Sequence, residues 1–160
     1  MDLKKFIRSI PDYPKKGILF RDITTLIKDE KAFEETINQI VERSKKFEFT
    51  KIAAIESRGF VFASAVSYVL KKPFIMLRKK NKLPSDTHSV NFELEYGTAT
   101  IEVHKDSINK DDKVLIIDDL IATGGTAEAA AKLVSISNGK VAAFIFVINL
   151  FDLGLSLIHI

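Results

Sequence analysis

Val114-Leu115-Ile116-Ile117-Asp118-Asp119-Leu120-Ile121-Ala122-Thr123-Gly124-Gly125-Thr126 is the stretch whose reading decides the fold. Its first four residues are β-branched or leucine and read as a strand buried on both faces. Asp118 and Asp119 follow where that strand is expected to leave the sheet. Ala122 to Thr126 form a small-residue turn, and Ala127 to Leu133 are a helix-forming run. In open α/β sheets ligands bind beyond the carboxyl ends of the strands. Strand, acidic pair, turn and helix together predict a phosphate site beside a polyol or metal site.

The turn can be read residue by residue. Gly124 and Gly125 permit positive φ and let backbone amides approach an anion without interference from a Cβ. Amides at the start of the following helix lack intrahelical acceptors and lie at the positive end of its dipole. Thr123 and Thr126 add hydroxyl donors. No lysine lies inside the turn, so a terminal monoester phosphate fits better than a nucleoside triphosphate. Asp118 and Asp119 would repel that phosphate on contact. They are better placed to accept hydrogen bonds from sugar hydroxyls, directly or through Mg²⁺. The plainer reading is a strand–turn–helix connection with Thr123 or Thr126 as N-cap. It accounts for a glycine and a threonine, but not for two aspartates ahead of them.

Composition sets bounds. The 160 residues suit one domain, 46% hydrophobic and 28% charged, as in an ordinary soluble α/β protein. A formal charge of +3, with basic residues scattered, makes nucleic-acid binding unnecessary. Zero cysteines exclude disulfides, thiolate catalysis and cysteine-ligated metals. The opening Met1-Asp2-Leu3-Lys4-Lys5 lacks the apolar core of a signal peptide, and no run approaches the ~18 apolar residues of a membrane span. A cytoplasmic enzyme is the expectation.

Strands and helices alternate without linker or repeat. Leu3, Phe6, Ile7 and Ile10 predict a short N-terminal helix stopped by Pro11. Phe33, Ile37, Ile40 and Val41 predict a helix over about 30–45. Ile52–Ile55 reads as a buried strand, Phe60–Leu70 as an apolar helix and Phe74–Leu77 as the next strand. Residues 79–90 read as a mobile excursion. Asn91–Glu95 and Thr98–His104 alternate around Tyr96-Gly97 and predict a hairpin, and Lys140–Leu150 predicts another strand. This order implies a parallel sheet covered on both faces, with the hairpin as an antiparallel flap.

Further candidates stand at other strand ends. In Glu56-Ser57-Arg58-Gly59, the amides of Ser57 and Arg58 can bind phosphate oxygens and Arg58 adds a charge-assisted fork. Alternatively Arg58 is a surface residue paired to Glu56. Gly59 keeps the turn open, which favours the first reading. The basic excess at Arg78–Lys82 can meet a pyrophosphate or form a solvated face, as Lys79 and Lys80 are expected to do. Phe20 can stack on a planar ligand, or pack in the core like others of the 12 phenylalanines. Glu93 and Glu95 point to the same face of a strand, so spacing alone does not choose between them as an acid–base group. His88 and His104 lack a partner pattern and read as surface residues.

The thirteen opening residues resemble the signature of the type I phosphoribosyltransferases, which bind 5-phosphoribosyl-1-pyrophosphate (PRPP). The supporting segments are Ile10 to Thr24 with Phe20-Arg21-Asp22-Ile23-Thr24, Glu56 to Phe60, Arg78 to Pro84, and Leu94-Glu95-Tyr96-Gly97. They follow the family's order over about residues 6–150 and narrow the resemblance to the members that act on adenine. The fold implied is a Rossmann-like, twisted, mainly parallel sheet flanked by helices, with a small N-terminal hood from about residue 1 to 30 and a flap hairpin. The activity implied is formation of AMP and pyrophosphate from adenine and PRPP, with Mg²⁺ as cofactor. The resemblance assigns the 5′-phosphate to Ala122, Thr123, Gly124, Gly125 and Thr126, and the ribose hydroxyls to Asp118 and Asp119. It assigns pyrophosphate to Ser57, Arg58, Arg78 and Lys82, the last two often reaching it from the neighbouring subunit of a homodimer. Adenine falls to Leu19, Phe20, Arg21 and Leu120. Glu95 and Tyr96, with Arg58, are the catalytic candidates, and Mg²⁺ is carried mainly by PRPP with help from Asp118 or Asp119.

Two rivals remain: a transferase for another nucleobase, and a non-catalytic PRPP-binding regulator, which would need the phosphate loop but not the flap segment. An ATPase would require a G-x-x-x-x-G-K-[ST] loop, which the chain lacks. The chain departs from the family at Leu155-Ser156-Leu157-Ile158-His159-Ile160, an apolar ending that reads as a truncation, a frameshift or a cloning or sequencing scar.

Overall fold

In the computed structural model, which describes residues 1–94 and 97–150, the chain divides into two units, Met1–Glu42 and a second that begins at Arg43. The first unit opens with a single 3₁₀ turn, Leu3–Phe6, rather than the expected helix. The Asp2 carboxylate accepts the Lys4 amide at 3.2 Å and caps that turn. The chain then leaves helical geometry because β1 (Arg8–Ile10) pairs antiparallel with β2 (Phe20–Asp22). Arg8 Nε donates to Asp22 across this ladder at 2.9 Å. Hydrogen bonds from Thr24 and Arg8 hold the Asp22 carboxyl down to about 2. A short α1 (Thr24–Ile27) and α2 (Glu30–Ser44) follow. Asp29 accepts the Ala32 amide at 2.9 Å, and Ile37 and Ile40 of α2 are buried, as the helical spacing predicts.

The second unit is built on six strands. They are β3 (Lys51–Ile55), β4 (Phe74–Lys79), β5 (Thr87–Leu94), β6 (Gly97–His104), β7 (Lys113–Ile121) and β8 (Lys140–Asn149). Their order across the sheet is β5-β6-β4-β3-β7-β8. The four strands β4-β3-β7-β8 run parallel, while β6 joins β4, and β5 joins β6, antiparallel. This is the mainly parallel sheet with an antiparallel hairpin that the alternation predicts. Helix α3 (Arg58–Leu70) connects β3 to β4, and α4 (Gly125–Ile136) connects β7 to β8.

The two crossovers travel in opposite directions along the sheet, so right-handed connections put their helices on opposite faces. Side chains along a strand alternate between the faces. Ala53, Ile55, Ile75, Leu77, Val114 and Ile116 form one core with Ala129, Ala130, Leu133 and Val134 of α4. Ile52, Ala54, Leu115 and Ile117 occupy the alternate positions, and α3 packs on β3, β4 and β7 with Phe62, Ala63 and Val66 buried.

Three boundaries differ from expectation, each because a neighbouring strand extends the ladder. β7 does not end before the aspartates: Asp118 pairs with Phe146, Leu120 with Ile148 and Ile121 with Asn149 of β8. β4 continues to Lys79 because Arg78 and Lys79 pair with Glu102 and Ile101. β5 begins at Thr87, opposite His104, so the excursion predicted for 79–90 shrinks to residues 80–86. Glu95 and Tyr96, expected at the tip of the hairpin, and the ending from residue 151 lie outside the described residues.

Candidate active site

The order of strands reverses between β3 and β7: from β3 the chain crosses to β4 on one side, and from β7 to β8 on the other. Such a switch point opens a crevice at the carboxyl ends of the two strands. Ser57 and Arg58 follow β3, while Asp118, Asp119 and the glycine turn occupy the end of β7.

In the turn, Gly124 adopts φ 87° and stands at the N-cap of α4 with no side-chain capping bond. Its carbonyl accepts the Glu128 amide at 2.9 Å. The amides of the first helical turn therefore point outward, and the N-cap role considered for Thr123 or Thr126 is taken by neither. Ala122, Thr123, Gly124, Gly125 and Thr126 line a concavity of about 100 Å³ with Asp118, Leu120 and Phe146 among its walls. That size suits a single phosphate group. An adjoining cavity of about 400 Å³ shares Asp118, Leu120 and Thr126 and adds Glu56, Ser57, Arg58, Lys79 and Asp119. A third space of about 420 Å³, walled by Phe92, Leu94, Ala99 and Ile101 of the hairpin, shares Glu56, Lys79 and Thr126 with the second. Phosphate pocket, polar cavity and apolar vestibule thus form a continuous series.

The acidic pair is buried, Asp118 at 9% and Asp119 at 6% exposure. Asp118 accepts the Asp119 amide at 2.9 Å. Burial, reinforced by the neighbouring Asp119 charge, pushes the Asp118 carboxyl up to about 8. Asp119 is held differently, through Arg58 Nε at 2.8 Å. The two carboxyls are thus unlike, Asp118 resisting ionisation and Asp119 ion-paired, and both face a cavity where a diol can hydrogen-bond to them.

Arg58 does not pair with Glu56, the alternative its neighbourhood suggested. Glu56 instead accepts Arg78 Nε at 2.7 Å, which leaves Arg58 in the cavity wall. Gly59 matters for a reason beyond an open turn. A Cβ there would lie 2.7 Å from Asp118 Oδ1 and 3.1 Å from the Ile117 carbonyl, so only glycine lets α3 start this close to β7.

The basic run divides. Lys79, expected on a solvated face, lines the polar cavity. Arg78 projects to the opposite face with Phe74 and Met76, following the strand's alternation. Lys82 is exposed, and its carbonyl accepts Arg78 Nη1 at 3.5 Å. In the first unit Leu19 is exposed, Phe20 meets the Tyr13 ring edge-on at 5.1 Å between centroids, and Arg21 donates to Ser9 Oγ at 2.7 Å. Leu120 belongs to the second unit and borders both the phosphate pocket and the polar cavity. Glu93 is exposed on β5. Glu95 and Tyr96 lie outside the described residues. His104 Nε2 accepts the Ser85 amide at 3.2 Å, a structural role.

Among the described residues no group of three or more His, Cys, Asp or Glu side chains converges as a metal cage. A carboxyl group beside a polar cavity fits Mg²⁺, which keeps several waters and takes substrate oxygens as its other ligands. Asp118 or Asp119 would hold it, a bound cation favouring the ionised form that burial opposes at Asp118.

A small pocket at a glycine turn, a buried acid pair and an arginine at a switch point have the chemistry to receive a phosphorylated sugar. In agreement, the phosphoribosyl transferase domain family matches residues 23–150. The chain is 84% identical over 154 residues to an adenine phosphoribosyltransferase of Pelagibacter ubique, covering 96% of this chain and 88% of that one. The solved adenine phosphoribosyltransferase of Thermoanaerobacter pseudethanolicus superposes with a TM-score of 0.92 at 47% identity, covering 95% of this chain and 88% of the other. That of Saccharomyces cerevisiae, in complex with an imino-altritol bisphosphate and adenine, gives 0.89 at 33% identity over 95% and 89%. The chain belongs to the adenine phosphoribosyltransferase family.

Proposed function

We propose that this chain converts adenine and PRPP into AMP and pyrophosphate. The observation that carries the proposal is the small phosphate pocket opening into a polar cavity that holds both the acidic pair and Arg58. The adenine bound in the yeast relative supports the choice of acceptor. Ala122 to Thr126 bind the 5′-phosphate through amides and hydroxyls, and Asp118 and Asp119 hold the 2′- and 3′-hydroxyls. A ring nitrogen of adenine attacks C1 of the ribose as the bond from C1 to the pyrophosphate oxygen breaks. Arg58, with the Ser57 amide, receives the charge that develops on the leaving group. Glu95 takes the proton from the base, and Tyr96 closes over the reacting centre so that water is excluded. Leu19, Phe20, Arg21 and Leu120 hold the adenine. Bound Mg²⁺ supplies charge neutralisation on the pyrophosphate.

Arg78 and Lys82 serve the pyrophosphate of a second copy in a homodimer. Arg78 shares the outward face of β4 with Met76, 45% exposed, and α3 presents Tyr68 at 86%, an apolar surface suited to a twin. A cytoplasmic location accords with a chain free of cysteine. No described helix is long and apolar enough to cross a membrane.

The test is adenine-dependent AMP formation from PRPP and Mg²⁺, with guanine, hypoxanthine and orotate as competitors. Asp119→Asn and Glu95→Gln are each expected to lower kcat/KM by about a hundredfold or more. AMP formation by neither parent nor variants, with PRPP still bound, would establish the regulator reading instead.

A further inference from the structure

Three strands, and the residue just after a fourth, carry a transverse row of polar side chains on the face of the sheet that bears α3. Ser89 of β5 is the cross-strand partner of Glu102 on β6, and Glu102 is the partner of Arg78 on β4. Arg78 then reaches Glu56, the residue after β3. At the centre, Glu102 is only 8% exposed. Its carboxylate accepts the Asn81 amide at 2.8 Å, Thr87 Oγ1 at 3.1 Å and Ser89 Oγ at 2.5 Å. The Ser89 hydroxyl above all, with the Asn81 amide, keeps this buried acid below its ordinary range.

The three donors that satisfy this buried carboxylate come from two different places. Thr87 and Ser89 belong to the hairpin, whereas Asn81 belongs to the tight turn after β4. That turn carries Asn81 at φ 66° and is gripped at both ends. Glu102 takes the amide of Asn81, and Arg78 donates to the carbonyl of Lys82. The same turn displays the basic residues read as pyrophosphate ligands.

The structure assigns Glu102 as a positioning residue for pyrophosphate: it fixes the Asn81–Lys82 turn to the flap hairpin and so sets where Arg78 and Lys82 stand. This deepens the proposed function and rests on it for the identity of the ligand. Glu102 acts through the turn and touches no substrate itself.

Calorimetric titration of the whole chain with magnesium pyrophosphate and, separately, ribose 5-phosphate tests the assignment. Glu102→Gln keeps the shape but offers an amide N–H₂ where the carboxylate accepted a bond. It is expected to weaken pyrophosphate binding about tenfold, the scale of one lost charged hydrogen bond. Ribose 5-phosphate, held by the glycine turn and the acidic pair, is expected to bind within twofold of the parent. Ser89→Ala, which leaves the carboxylate in place, is expected to weaken pyrophosphate alone by about threefold, and it decides the matter if Glu102→Gln does not fold. Unchanged pyrophosphate affinity, or equal losses for both ligands, would reduce Glu102 to a structural residue and overturn the assignment. A parent that binds pyrophosphate but forms no AMP would sink the catalytic reading and leave this one standing, whereas a parent that binds none would sink this one.

Discussion

Asp118 shows how function is placed against stability at a single residue. Its carboxyl is protonated up to about pH 8 in the folded chain because burial and the Asp119 charge oppose ionisation. In the unfolded chain it ionises near its ordinary value of 3.8. Between those limits the folded state carries one proton more than the unfolded state, so this group's contribution to stability falls as pH rises. Asn at this position keeps an acceptor for the Asp119 amide and cannot ionise. Asp118→Asn is therefore expected to raise the melting temperature by about 3 °C at pH 8, with little gain at pH 4, and to lower activity at least tenfold. Melting curves across pH 4–9 check the sign: a gain that shrinks as pH rises would contradict the assigned protonation.

Helices and strands set the precision with which such residues meet. The first turn of α3 lies against the end of β7 only because residue 59 has no side chain, and that approach lets Arg58 reach Asp119. Gly59→Ala forces backbone or Asp118 to move. We expect a loss of about 1–3 kcal/mol in urea unfolding, with PRPP affinity falling about tenfold or more; an alanine variant with parental affinity would refute the steric argument. Much of this was legible in sequence, since the apolar runs at Ile52–Ile55 and Val114–Ile117 and the glycine turn mark a parallel sheet with a phosphate loop. What was not legible depends on partners far along the chain. The helical spacing of Leu3, Phe6, Ile7 and Ile10 is overruled by pairing of Arg8–Ile10 with Phe20–Asp22. The identity of Arg58's partner is settled by the approach of β7, sixty residues on, and the alternation that separates Lys79 from Arg78 becomes visible only once β4 is known to extend past Leu77. Glu102 carries no motif at all: it stands in the polar phase of its strand, between the core residues Ile101 and Val103, and is buried only by partners such as Asn81 and Ser89 that the fold brings to it.

At the scale of the whole molecule, the exposed apolar residues are not scattered evenly. Val61, Tyr68 and Val69 of α3 and Met76 of β4 are each between 37% and 86% exposed, enough apolar surface to favour association. Sedimentation velocity is expected to give a dimer for the parent. Tyr68→Asp is expected to raise the dissociation constant at least about tenfold, since it sets a charge on an exposed apolar surface that a dimer would desolvate; an unaltered dimer would remove α3 from the interface. The last consequence concerns the order in which the molecule is made. Asp118 and its neighbours owe one side of their hydrogen-bond ladder to β8, through Phe146, Ile148 and Asn149. Synthesis runs from the amino end, so the strand bearing the acidic pair is an edge strand until residues 140–149 emerge from the ribosome. The nascent chain therefore holds its glycine turn before it holds a finished frame for the acidic pair, and that frame is completed only when β8 docks.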